Sequence, residues 1–234
     1  MKLYDYVRAP NARRVRIYLA EKGIVVPTEM VDLAAMQHKS EAYTAVNPMQ
    51  RVPALVLDDG TVIVESMAIC RYLEALHPTP PLFGTGAVEL ATVEMWNRFA
   101  EFYLFWPVSQ VFRHLHPGMK AQEVPQVAAW GEANKPRVEA FLPVLDRQLA
   151  AGPFVCGAHY SVADITFRGG HNGPRRGRFH EACQARGRAG IRQHRQMARD
   201  GFGAAQRQGV IDADSAAATF VHSTPHISAE VPFP

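Results

Sequence analysis

No apolar run in this 234-residue chain reaches the roughly 18 residues that a membrane-spanning helix requires. The N-terminus also lacks the apolar segment and small-residue cleavage site of a secretory leader. Cysteine is scarce, and the three residues lie too far apart for a disulfide framework or a zinc site: Cys70, Cys156 and Cys183. These absences predict a cytoplasmic protein with free thiols, no metal ion and no membrane partner.

Lysine and leucine are both absent from residues 168–234, although that segment contains ten arginines and nine of the 17 glycines. Ten basic against five acidic residues give it a net charge of +5, whereas 15 against 17 give residues 1–167 a net charge of −2. Its apolar residues follow neither a helical nor a strand period, so the segment is predicted to be a disordered tail.

Two interpretations of this tail remain open. A basic tail could bind nucleic acid, but its arginines are not interleaved with aromatic residues, so we expect no nucleic-acid partner. Translation out of frame in a GC-rich gene also produces arginine, glycine and alanine in excess, and we favour this interpretation. An intact single reading frame through codon 168 would contradict it.

Strand and helix patterns alternate over residues 1–80, which predicts an α/β domain. The sequence Asp58-Asp59-Gly60 between two apolar runs indicates a hairpin. Strands are predicted at 1–7, 27–33, 54–57 and 61–64, and helices at 11–23 and 66–76. Three prolines at 78–81 then mark a linker.

Residues 87–167 have helical patterns only, and we predict an all-helical second domain that stops at 167. Long helices are expected at 87–116 and 126–151, with a kink or break at Pro136 and Pro143. Ser161 and Asp164 have the spacing of a capping box, which indicates the start of a further helix. That helix is expected to end at Arg168, because two glycines follow this residue.

The segment 47–74 reads NPMQRVPALVLDDGTVIVESMAICRYLE and resembles the N-terminal domain of cytosolic glutathione transferases of the phi, theta and nu-like bacterial type. The resemblance covers residues 1–167 and implies a thioredoxin-like domain followed by an all-helical domain. It implies a homodimeric enzyme that conjugates the glutathione thiolate to small apolar electrophiles, with glutathione as cosubstrate and no other cofactor. The alternative is a glutathione-binding or protein-interaction module with little or no turnover.

Four matched residues predict where glutathione would bind. A cis bond between Val52 and Pro53 would expose the main chain of Val52 at a sheet edge, where an extended tripeptide can pair with it. Glu65 and Ser66 begin the next helix, whose N-terminus favours an anion such as the γ-glutamyl carboxylate. Glu65 would meet the ammonium group of the ligand.

Positive charge for the glycyl carboxylate is expected from His38, Lys39 and Arg51. Taken singly, each of these residues fits an ordinary surface role better than a binding role, and Ser66 fits a simple N-cap. Their joint spacing favours the binding interpretation.

The catalytic group is less evident, because the stretch after the first strand resembles the family pattern S-x-N-x-x-R-V with Ala9 in the position of the serine. We therefore predict that the Asn11 amide and the N-terminal turn of its helix stabilise the thiolate, with Arg13 or Arg14 adding positive potential. The alternative is that Asn11 only caps the helix.

An aromatic-rich stretch lies on the first long helix of the second domain. At helical spacing Phe99, Phe102, Tyr103 and Trp106 share one face. Phe102, Tyr103 and Trp106 are predicted to form the wall of an apolar substrate pocket. A core or dimer-interface stripe is the alternative.

Overall fold

The computed structural model describes residues 1–170 of the chain. The tail is predicted to be disordered and to have an out-of-frame origin. From residue 171 onward it lies outside the described residues, so these predictions concern a part of the chain that the structure does not describe. Residues 168–170 are described, and the prediction that the last helix ends at Arg168 is wrong, because that helix runs over Val162–Gly170.

The first domain is a four-stranded mixed sheet with helices, as predicted from the pattern of residues 1–80. Its strand order is β2-β1-β3-β4, with β1 parallel to β2 and the other neighbours antiparallel. The strands are short, and their bounds are Lys2–Asp5 (β1), Thr28–Met30 (β2), Ala54–Val56 (β3) and Val62–Val64 (β4). The helices are Pro10–Lys22 (α1), Glu41–Val46 (α2) and Ser66–Leu76 (α3).

Helices α1 and α3 form one core with the sheet. Leu3 and Leu55 point from the strands toward Val15, Tyr18, Ile69 and Leu73, all of them buried. Gly23 ends α1 in a left-handed conformation with φ of 67°, which glycine adopts without steric cost. This core fixes α1 and α3 side by side, so their N-terminal ends lie at the same edge of the domain.

The second domain consists of helices only, as predicted. One continuous helix contains α4 (Gly86–Phe99), a π-helical segment (Ala100–Phe105) and α5 (Trp106–Leu115). The domain is completed by α6 (Ala128–Ala150) and α7 (Val162–Gly170). No helix within residues 1–170 has both the length and the apolar character needed to cross a membrane.

The predicted break of α6 at its prolines is wrong, because the helix runs through both Pro136 and Pro143. Buried side chains at helical spacing, including Val138, Phe141 and Leu145, hold this helix against the rest of the domain. Packing therefore compensates for the backbone hydrogen bonds that the prolines cannot make.

Candidate functional site

The main chain of Val52 is unpaired at the edge of the first domain. The Val52–Pro53 bond is cis, as expected, and the side chain of Val52 packs with Ala12 and Tyr43 in a small buried cluster. Among residues 1–170, neither the N–H nor the C=O of Val52 has a hydrogen-bond partner. An extended peptide is the natural partner for such a group.

The start of α3 lies at the same end of the β3–β4 hairpin as Val52. Ala54 pairs with Val64, and Val52 precedes Ala54 by two residues, just as Ser66 follows Val64 by two. The first bond within α3 is from Ile69 N to Glu65 O, at 3.0 Å. The three N–H groups before it, from 66 to 68, have no partner in the described part of the chain. They offer donors, and the positive end of the helix, to an anion.

Glu65 precedes this helix in an uncommon backbone conformation. Its φ of 67° lies in a region that side-chain-bearing residues rarely adopt, and its side chain makes no capping bond to the helix. Backbone strain of this kind is concentrated at functional sites. Glu65 is exposed beside the helix start, and its role toward an ammonium group stays a prediction.

The residues expected to bind the glycyl carboxylate lie around the turn before Val52. Lys39 and Arg51 are exposed, and the Arg51 carbonyl accepts from Tyr43 Oη at 2.6 Å and from Asn47 Nδ2 at 2.7 Å. His38 is buried, and burial, with Lys39 and Arg51 nearby, lowers its pKa. A neutral imidazole can donate a hydrogen bond there, but the positive charge must come from Lys39 and Arg51.

A buried arginine connects the start of α3 to the second domain. Arg14 Nη1 lies 2.9 Å from Ser66 Oγ and 2.8 Å from Glu101 Oε1 of the π-helical segment. Arg14 is buried, although arginine is rarely fully buried unless it is paired. The guanidinium is removed from water because a carboxylate 87 residues away pairs with it, a contact that periodicity cannot indicate.

At the start of α1, Ala9 occupies the N-cap position and Pro10 follows it as the first helical residue. The interpretation of Asn11 as the N-cap is therefore wrong, since Asn11 is the second residue of the helix. Its half-buried side chain has no hydrogen-bond partner among residues 1–170. The Asn11 amide is thus available to a ligand, and its catalytic role stays a prediction.

The loop before α1 is fixed by Arg16. Its guanidinium pairs with the buried carboxylate of Asp5 and donates to the carbonyls of Tyr6 and Val7. These contacts hold the backbone that presents Ala9 and Asn11.

Neither described cysteine is a candidate nucleophile. Burial raises the pKa of Cys70 to about 12 and that of Cys156 to about 11, so both stay protonated at neutral pH. A cysteine-dependent reaction is therefore disfavoured for the described residues.

The aromatic residues of the second domain lie in two different environments. Tyr103 stacks on Phe141 with ring centroids 5.8 Å apart, and the side chains of Phe102, Tyr103 and Trp106 are more than half exposed. Phe105 faces the first domain instead, with its ring centroid 5.2 Å from Arg14 Cζ. The three predicted wall residues stay predictions, and Phe105 joins them as an aromatic ring that contacts Arg14, the partner of Ser66.

Sequence reasoning missed two contacts at the site: that of Arg14 with Ser66, and that of Glu101 with Arg14. The available signal was weak: an arginine four residues, one helical turn, before Tyr18 on α1, and an acid inside an otherwise aromatic stretch. Neither indicates its partner without the fold.

Comparison with known proteins shows what the chain is similar to. Residues 9–76 match the family model described as Glutathione S-transferase, N-terminal domain. Glutathione S-transferase 2 of Saccharomyces cerevisiae is 38% identical over 169 residues, which are 71% of this chain and 72% of that protein. A maleylacetoacetate isomerase of Pseudomonas aeruginosa is 42% identical over 93 residues, covering 39% of this chain but only 44% of the isomerase.

A solved structure gives the same picture. The glutathione S-transferase domain-containing protein of Marinobacter aquaeolei VT8 has a TM-score of 0.70 and 38% identity, over 73% of this chain and 84% of that one. The similarity therefore includes both the sheet domain and the helical part.

Proposed function

This chain belongs to the glutathione S-transferase family, and we propose on that basis that it joins the thiolate of glutathione to small apolar electrophiles. The observation that carries the proposal is the unpaired main chain of Val52 beside the N-terminus of α3. The main chain of a tripeptide would pair with Val52 as an added strand, while its γ-glutamyl carboxylate would accept from the N–H groups at Ser66.

The reaction requires a thiolate. A free thiol has a pKa of about 8.5, so only a few per cent is ionised at pH 7. Donors directed at the sulfur favour its charged form, and the first turn of α1 supplies both the N–H groups and the Asn11 amide. The electrophile would then meet this sulfur against Phe105 and the predicted wall residues. Glutathione is the cosubstrate, and the proposed reaction needs no other cofactor.

An assay with an activated aryl chloride, chlorodinitrobenzene, tests the proposal. We expect the protein to be retained on immobilised glutathione and to form the conjugate faster than the uncatalysed reaction. Absence of both retention and turnover, in a sample with a cooperative unfolding transition, would overturn the proposal.

A second candidate is a glutathione-binding module without turnover. It is favoured by Ala9, because a methyl group at the start of α1 cannot donate a hydrogen bond to sulfur. Retention on glutathione without conjugate formation would select this candidate.

We also propose a homodimer that works in the cytoplasm in detoxification. Exposed apolar residues recur every seven positions on α4 and the π-helical segment, at Val88, Met95 and Phe102. Such a stripe is suited to a second copy of the chain. Light scattering after size-exclusion chromatography should give twice the chain mass of 25.9 kDa, and Met95→Glu should give the single mass.

A further inference from the structure

One side chain connects the start of α3 with the second domain. Arg14 is only 2% exposed, and the same Nη1 atom contacts Ser66 Oγ and Glu101 Oε1. Because a buried guanidinium without a counter-charge is costly, Glu101 is what allows Arg14 to remain beside Ser66. A residue of the second domain therefore holds a side chain of the first domain's glutathione site.

Glu101 is itself held in place. Its second oxygen accepts from Arg98 Nη1 at 2.7 Å, and Arg98 Nε pairs with Glu94 at 2.7 Å one turn earlier. Glu101 belongs to the π-helical segment, a conformation found mostly as single turns at functional sites. The extra residue in that turn sets which side chains of the segment face the first domain.

The contact determines how the Ser66 hydroxyl is used. A hydroxyl has one donor and two acceptor positions, and a guanidinium can only donate, so Arg14 occupies an acceptor position of Ser66. The Ser66 proton is left for another acceptor. Accepting from a charged donor also strengthens the hydroxyl as a donor.

We propose that Glu101 is a positioning residue for glutathione: acting through Arg14, it directs the Ser66 proton to the γ-glutamyl carboxylate, so that the second domain completes the glutathione site. This inference rests on the proposed function. Glu101 makes no contact with glutathione in this arrangement, and its effect passes through two side chains.

Removing Glu101 should change the affinity for glutathione in opposite directions, depending on whether Glu101 positions Arg14 or Arg14 acts only through its charge. If Arg14 acted only as a positive charge, loss of its counter-charge would strengthen the attraction to a carboxylate and tighten glutathione binding. If Glu101 positions Arg14, its loss lets the guanidinium leave Ser66 and weakens binding.

The experiment is calorimetric titration of the full chain with glutathione. We expect Glu101→Ala to raise the Kd about fivefold to tenfold, the scale of one ordinary hydrogen bond. We expect kcat at saturating concentrations of both substrates to change by less than about threefold, since Glu101 does not contact the reacting atoms. Glu101→Gln, which keeps an acceptor for Arg14, should restore part of the affinity.

Glu94→Ala is the matched control. It removes the same charge from the same helix and from the same partner, Arg98, but it does not touch Arg14 or Ser66. We expect its Kd to equal that of the unmodified protein. Equal effects of Glu94→Ala and Glu101→Ala, or tighter binding by Glu101→Ala, would overturn the proposal.

A double-mutant cycle with Ser66→Ala completes the test. Because Glu101 acts through Ser66, Ser66→Ala should cost much less affinity in the Glu101→Ala background than alone. Additive losses would assign Glu101 a merely structural role and overturn the proposal. If the unmodified protein bound no glutathione, the proposed function itself would fail, which is a different result from unchanged affinity in Glu101→Ala.

Discussion

A serine lies at the start of α3 and at the start of α7: Ser66 is the first residue of α3, and Ser161 directly precedes α7. The two starts differ in the groups that occupy them. At α7, the buried carboxylate of Asp164 accepts from the Ser161 N–H at 2.9 Å, from its hydroxyl at 3.0 Å and from Val155 N–H at 3.0 Å. At α3, no side chain of residues 1–170 caps the first turn. The Asp164 carboxylate and the Leu82 carbonyl, which accepts from the Val162 N–H at 2.8 Å, occupy the start of α7. The N–H groups of residues 66–68 at the start of α3 have no partner among residues 1–170.

The difference indicates which helix start contributes to the stability of the fold and which one can bind a ligand. A helix start satisfied internally contributes to the free energy of unfolding and has no donor left for a ligand. A start with unsatisfied donors gives up that contribution and recognises an anion instead. The α1 start is of the second kind, because Ala9 has no side chain that could cap it.

The largest effect is expected from Asp164→Ala. The change removes three hydrogen bonds at a buried site, so the free energy of unfolding should fall by about 3 kcal/mol or more. Urea unfolding measures it. Asp146→Ala, at an exposed position of α6, is the control and should change stability by less than about 0.5 kcal/mol. A loss below about 1 kcal/mol for Asp164→Ala would remove the contrast between the two helix starts.

Replacing each of the two serines by alanine sharpens the comparison between the two helix starts. Ser66→Ala should raise the Kd for glutathione about tenfold, because a hydroxyl bond to the γ-glutamyl carboxylate is lost. Ser161→Ala should leave the Kd unchanged and lower the free energy of unfolding by about 1 kcal/mol. Titration calorimetry and urea unfolding on both variants give the result, and an affinity loss in Ser161→Ala would contradict the assignment.

At the start of α1, Asn11→Ala should lower kcat/KM about tenfold, the scale of losing one donor to a developing anion. The Kd for glutathione should stay the same, since the amide is directed at the sulfur rather than at the peptide main chain. Steady-state kinetics with chlorodinitrobenzene, alongside a thermal unfolding curve, measures both. An unchanged rate in a folded variant would leave only the backbone N–H groups to stabilise the thiolate.

Features encoded in neighbouring residues could be predicted from the sequence. The hairpin at Asp58-Asp59-Gly60, the start of α3 at Ser66 and the cis bond before Pro53 each depend on local backbone chemistry. The reach of Asp164 back to the Ser161 N–H was also local, since only three residues separate them.

The remaining features depend on contacts across the chain. Arg14 is buried because Glu101 from the other domain pairs with it, and α6 passes its prolines because packing supports it. The contact of Phe105 with Arg14 also crosses from one domain to the other, and a helical period within one element cannot indicate it. Periodicity describes one element at a time, whereas each of these outcomes is decided by two.

The smallest effect, and the closest test of an uncapped helix start, is expected from Ala9→Ser. A serine at this N-cap position should raise the free energy of unfolding by about 1 kcal/mol if its hydroxyl caps α1. If the hydroxyl instead donates to the sulfur of glutathione, it favours the thiolate and lowers the pKa of the bound thiol. The value of kcat/KM should then rise about threefold near pH 6.5 and change little near pH 9, where the thiol is already ionised. Stability gained without a change in the pH profile would mean that a serine closes this helix start, and that the enzyme keeps alanine there so that the first-turn donors remain available to its substrate.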